Sequence, residues 1–362
     1  VAGDFVATAG SVYHAPRTTH DADGNVLGYL HEPQGTNLQS VSIPDTANWG
    51  ETQLVIGENA SVSPSGATDA SDIIASAAST ASHFTTRGYT APVIGTTMAM
   101  SLYAKAGAVD FLRLAIDQST NARAIFDLTD GSINFTLGSS YTDSYTEYVG
   151  NGWWRCVLVG TTNGSGNFII YPHIDLNGTT AWAGDGATTS VSVWGAQVEL
   201  GTAATSLIHT YGAEATRQAD ACSLGTSLFA EKWNDTEGTL IFEGSIQEFL
   251  GSGRFVVSDG SDNRWFYANS PAANSILRAY DGNTASALTP TIASPFKLAL
   301  ALDSNNNMRS SGNGESVLTT AHDGSLLTGA TNLFFFENHG GIISRFRYSG
   351  KALPDTRLIT LT

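Results

Sequence analysis

The sequence predicts an all-β chain: two tandem antiparallel β-sandwich (jelly-roll) domains with an N-terminal hairpin segment. Three observations predict it. Charged residues make up only 14% of the chain while glycine occurs 38 times in 362 residues, a mixture that favours short strands and tight turns over long helices. Apolar residues recur with period two in short runs, separated by Gly, Asn, Ser and Thr. Finally, the alternating run Ser190–Leu200 passes into the small and polar residues of 201–220, as a strand does where a domain ends. The length itself suits two domains. The expected boundaries are a lead segment at 1–40, a first sandwich at 41–210, a connector at 211–237 and a second sandwich at 238–362.

Along the chain, His20–Tyr29 carries Asp23-Gly24 between half-apolar flanks, a hairpin signal. Asp21, Asp23 and Asn25 lack the downstream Gly and Glu of a calcium loop, so a turn is the reading. The run Ala67–His83, rich in Ala and Ser, suits a short helix or a pair of strands, and the choice stays open. In Thr97–Lys105, Met98, Met100, Leu102 and Ala104 alternate with other residues, as in a strand with one buried face. Phe111–Ile116, Ile133–Leu137, Trp153–Gly160, Asn167–Ile174 and Ser190–Leu200 continue the series, and Gly195 interrupts the last. Tyr141–Tyr148 reads as loop. In the second module the strand candidates are Gly238–Phe249, Arg254–Ser258, Asn263–Ala268, Ser275–Tyr280, Phe296–Asp303, Leu333–Phe336 and Ile342–Tyr348. Pro354 and Asp355 suit the start of a short closing helix.

Four of these pieces carry a resemblance. Leu27–Leu38, LGYLHEPQGTNL, is similar to a segment of bacteriophage tail and other phage structural proteins, where a hairpin introduces a jelly-roll module. Gly28, Leu30, Glu32, Thr36, Asn37 and Leu38 match that pattern; Pro33 and Gln34 depart from it. Thr97–Gly107, Asn151–Cys156 and Trp194–Leu200 follow in the family's order, so the likeness covers about residues 20–220. Its modules resemble carbohydrate-binding modules of the galactose-binding-like type. Gly238–Thr362 looks like the concanavalin A/laminin-G sandwiches, a match of fold that says little of chemistry.

Seventeen basic against 33 acidic residues give a net charge of −16. No basic face is visible for phosphate, which argues against nucleic acid and against anionic membrane surfaces. No apolar run approaches the ~20 residues that span a bilayer. No signal peptide precedes Val1, and the absent initiator Met suggests a removed leader. Cys156 and Cys222 form no framework and are expected to be unpaired.

Catalytic patterns are weak. Glu243–Glu248, EGSIQE, matches the outer positions of the E-x-D-x-x-E strand motif of laminarinase-like glycoside hydrolases, but Ser245 replaces the aspartate that tunes the pair. A solvated acidic face is the better reading, and no catalytic residue is assigned. The eight histidines show no zinc spacing, and no G-x-S-x-G elbow seats a nucleophile. Asp259–Asn263 and Asp303–Asn307 read as turns, with a structural Ca2+ the minority reading and no other cofactor expected.

Sugar binding needs exposed aromatic faces with polar groups beside them. The candidates are Trp182 and Asp185 in the loop 177–186, Tyr141 and Tyr145 (with Tyr148) in the run before Trp153, and Trp265 and Tyr267 in the second module. Core packing is expected for Trp194 and for one of Trp153 and Trp154. Taken with the resemblance, this implies a tail-fibre or receptor-binding component of a virion, assembled in the bacterial cytoplasm. It would be trimeric, joined to other tail proteins and attached non-covalently to host-surface glycan. The rivals are a structural decoration or tail-assembly protein and a glycan hydrolase or lyase.

Overall fold

Met98, Met100, Leu102 and Ala104 turn one face of strand Thr97–Ala106 into a core that a second sheet closes from the other side. The computed structural model describes residues 17–20, 25–77, 82–117, 121–173, 182–220, 222–224, 233–234, 236–258, 264–269, 276–280, 285–288, 295–321 and 332–362. For 17, 222–224, 246–258, 264–269, 276–280, 285–288 and 332–340 it describes the backbone alone. The chain divides into two compact units. The first is drawn mainly from 34–217, the second from 26–33 and 218–362. The stretch 1–40 supplies strands to both: Val26–His31 pairs with Asn332–Ser349, and Gly35–Asn37 with Ala215–Arg217. The Asp23-Gly24 turn and Asp21 lie outside the described residues.

The first unit is a two-sheet antiparallel sandwich. One sheet runs Ile133–Leu137, Ala122–Asp127, Phe111–Ile116, Asn167–His173, Phe84–Gly88, Gly50–Thr52. The other runs Tyr141–Gly150, Trp153–Thr161, Thr97–Ala106, Val191–Leu200, Thr68–Ala75, Leu54–Val62. Between them Leu112, Leu114, Ile116, Phe126, Phe168 and Ile170 meet the methionines and leucines of the second sheet. Each such side chain contributes about 1.5–3 kcal/mol by leaving water.

Two expectations change here, and one open choice is decided in part. Tyr141–Tyr148 is a strand, not a loop: Tyr145 pairs with Val157 and Tyr148 with Trp154. The Ala/Ser-rich run forms a strand over Thr68–Ala75. Thr97–Ala106 is buried on both faces, because Leu207 and Ile43 cover Tyr103, and Ala204 covers Ala99, on its outer side. The interruption at Gly195 is a bulge: register with Thr97–Ala106 shifts between Trp194 and Gln197, and Gly195 takes φ 67°. A Cβ there would lie 2.7 Å from Leu207 Cδ2, so glycine is required twice over.

The second unit is built on an antiparallel sheet whose two longest strands, Gly238–Ser258 and Asn332–Ser349, run side by side. Each joins two runs that read separately in sequence, and register shifts absorb the glycines between them. Phe296–Leu302 pairs with the first half of Gly238–Ser258. The closing helix Asp355–Leu361 starts after Pro354 and sets Leu358 on Ile241, Ala299 and Ala301.

Candidate functional site

The sequence motifs of the resemblance converge on a buried polar lock. Asn37 donates its side-chain amide to the carbonyls of Ala196 and Ile208, while its own oxygen accepts the N–H groups of Gln39 and Val198. Glu199 accepts the Thr205 N–H at 2.8 Å and its hydroxyl at 2.7 Å. Gln197 donates to Glu199 and accepts the Ile208 N–H. These groups satisfy buried backbone that has no ladder partner, and so clamp the loop 202–210 onto the sheet. Their work is structural.

Most of the aromatic residues picked out by sequence are likewise occupied. Trp182 is half-buried and packs against the main core; its ring meets His83 edge-on at 4.9 Å, and its carbonyl accepts a bond from the His83 ring. It presents no open platform. Asp185 is exposed, but its carboxylate closes its own turn, accepting the N–H groups of Ala187 and Thr188 and the Thr188 hydroxyl. Those bonds hold its pKa down, at about 2. Tyr145 packs on Ala99, Val157 and Val159, accepts the Ala204 N–H, and is pushed up to about 12 by burial. Tyr141 leans on the main core with its hydroxyl against Ser144. Trp153 and Trp154 pack on opposite faces, each against its own cluster. The side chains of Trp265 and Tyr267 lie outside the described residues.

The structure instead exposes Tyr211, at the start of the polar connector expected at 211–237. It is 82% exposed and ends a ladder of rings. The Arg155 guanidinium lies 5.4 Å over Tyr103. Tyr103 meets Trp194 at 5.4 Å, Trp194 meets His209 at 4.9 Å, and His209 stacks on Tyr211 at 5.9 Å with 13° between the planes. The ladder climbs from a fully buried indole to solvent. Its base is rigid: Arg155 bonds the Thr205 carbonyl and the Ser101 hydroxyl. Burial alone would lower the Arg155 pKa, but Tyr103, Glu147, Tyr145 and Glu199 outweigh it and raise it. Burial also lowers the His209 pKa, against the pull of the Asp69 carboxylate. The backbone bridge Val41–Tyr211 and the Gly212 N–H bond to Ser40 hold the tip. The result is one open aromatic face, over a histidine whose charge the Asp69 carboxylate influences. Period-two alternation does not mark such a residue; its signal in the sequence is an aromatic two residues after a histidine, His209-Thr210-Tyr211.

Among the described residues, no group of three His, Cys, Asp or Glu side chains is placed to hold a metal ion. Asp303 accepts the N–H groups of Asn305 and Asn307, as a tight turn does. Asp259–Asn263 lies outside the described residues. Glu243 is ion-paired to Arg345 at 2.8 Å, and the side chain of Glu248 is outside the described residues. Cys156 is free and buried, its thiol pKa pushed up by that burial.

No protein-family model and no curated protein matches the chain. Among solved structures, it is similar to the Ruminococcus gnavus IT-sialidase CBM40 at 19% identity, over 36% of this chain and 84% of that one, with a TM-score of 0.29. It is similar to the leech intramolecular trans-sialidase at 22% identity, over 40% of this chain and 26% of that one, with a TM-score of 0.33. It is also similar to domains LG4-5 of the mouse laminin alpha1 chain at 9% identity, over 87% and 94% of the two chains, with a TM-score of 0.28.

Proposed function

We propose that this chain is a non-catalytic glycan-binding protein, a tail component of a bacteriophage virion that attaches to sugar on the host surface. The observation that carries the binding role is the Tyr211 face, open to solvent and fixed from below by a stack of buried rings. Stacking on a pyranose needs a flat, apolar, pre-ordered surface, and ordering it beforehand lowers the entropy cost of binding. The tail assignment rests on the four ordered sequence motifs, which also imply a homotrimer joined to other virion proteins.

Binding is favoured over hydrolysis by the state of Glu243. Its carboxylate is tied to a guanidinium, and Ser245 stands two residues on. A retaining mechanism needs a second acid about 5–5.5 Å away on the same face. The test is a glycan array probed with the intact chain and with Tyr211→Ala, alongside zymography on capsular and cell-wall polysaccharide. Neutral-sugar hits that vanish in the variant, with no depolymerisation, are expected. Depolymerisation abolished by Glu243→Gln would overturn the reading, and an array without hits together with tight binding to another virion protein would favour a structural role.

A further inference from the structure

The second unit holds a cleft of about 430 Å³ beside the end of the closing helix, lined by Leu27, Glu243, Ser245, Pro295, Lys297, Ile342 and Ser344 among others. That volume falls in the range of small-ligand sites. Its floor follows from strand register. Lys297, Glu243 and Arg345 occupy one row across three adjacent antiparallel strands, so all three side chains leave the same face. The next residue of Asn332–Ser349, Ser344, is the extra one of a register shift opposite Glu243 and Gly244. Bulges of this kind re-aim a side chain. Two glycines permit the tight crossing: a Cβ on Gly244 would lie 2.1 Å from the Ile342 carbonyl oxygen, and one on Gly28 would lie 2.3 Å from that of Ile343.

The charges in the row do not cancel. Arg345 Nη1 bonds Glu243 Oε1 at 2.8 Å and neutralises it. Lys297 faces Glu243 from the opposite side; among the described residues no ion pair engages its ammonium, and no hydrogen bond engages the hydroxyl of Ser245 or Ser344. A cationic point on a chain of net charge −16 is felt mainly within ~8 Å at physiological salt, so groups in the cleft weigh more on a ligand there than the charge of the whole chain. The exposed Leu27 and the Pro295 and Ile342 side chains offer carbon to a ring face, and the two serines offer hydroxyls.

We infer that this cleft binds a carboxylate-bearing sugar residue, with Lys297 holding the carboxylate, Arg345 shared between it and Glu243, and Ser245 and Ser344 meeting ring hydroxyls. This is a second site, argued independently of the Tyr211 face. The test is calorimetric titration of the intact chain with trigalacturonate, its methyl ester and maltotriose. The acid is expected to bind at least tenfold tighter than its ester. Lys297→Ala should weaken the acid about tenfold and Lys297→Arg should restore it. Glu243→Gln, which frees Arg345 and removes a repelling charge, should tighten it several-fold. Equal binding of acid and ester, an unchanged Lys297→Ala, or weaker binding by Glu243→Gln overturns the inference. A chain that binds neutral glycan on an array but not trigalacturonate overturns it alone and leaves the Tyr211 reading standing.

Discussion

The Asn37 side-chain amide donates to the Ile208 carbonyl at 2.9 Å across 171 residues of chain. With its three other bonds this one side chain stitches the entry of the first unit to its exit. Asn37→Ala would leave two buried carbonyls and two buried N–H groups without partners. Each orphaned group costs about 1–3 kcal/mol, relaxation recovers part, and a net loss of about 2–4 kcal/mol is expected. Urea unfolding followed by tryptophan fluorescence measures it; a loss below about 1 kcal/mol would mean that the lock is ornamental.

Asp117 is a second such hub. Buried, with φ 63°, it accepts bonds from the Tyr89 and Thr162 hydroxyls and from the N–H groups of Asn163 and Gly166. Asp117→Asn keeps the backbone geometry, since asparagine tolerates the left-handed region. It replaces an acceptor oxygen by an NH2 that faces donors. A loss of about 2–3 kcal/mol is expected from the broken charge-assisted bonds, together with faster amide exchange in residues 162–167. Unchanged exchange there would refute the assignment.

Tyr211 and Trp182 should separate binding from stability. Tyr211→Ala removes an exposed ring and is expected to shift stability by no more than about 0.5 kcal/mol while abolishing binding of neutral glycan. Trp182→Ala removes a ring packed on the core and on His83, and is expected to cost about 2–3 kcal/mol. Thermal melts beside array binding distinguish the two; the reverse pattern would return the platform to Trp182.

The ladder carries a pH dependence through His209. Its folded pKa is lowered by burial, so between that value and the ordinary 6.5 the unfolded chain binds more protons than the folded one. Stability is therefore complete above about pH 6.5 and falls as pH drops through this window. Equilibrium unfolding at pH 7.5 and 5.0 is expected to show the decrease, and His209→Gln should flatten it. A variant with the same slope as the parent would assign the loss to other groups.

Much of the fold was legible because period-two alternation is a local property. Met98 to Ala104, Trp153 to Gly160 and Val191 to Leu200 announce strands in any context, and Pro354-Asp355 announces the last helix. The sites were less legible. Tyr141 and Tyr145 read as loop because the half-exposed edge strand that holds them, YTDSYTEYVG, is mostly polar. Glu243 read as an acidic face because its partner Arg345 lies 102 residues away.

By itself the sequence determined the all-β class and the interruption at Gly195, since composition and neighbour spacing encode these directly. Tertiary structure alone decided which rings face water, which carboxylates are already neutralised, and that Asn37, Gln197 and Glu199 serve the scaffold. Burial and hydrogen bonding are set by strands distant in sequence, and only their register brings a tyrosine to the top of a stack or a lysine beside a glutamate.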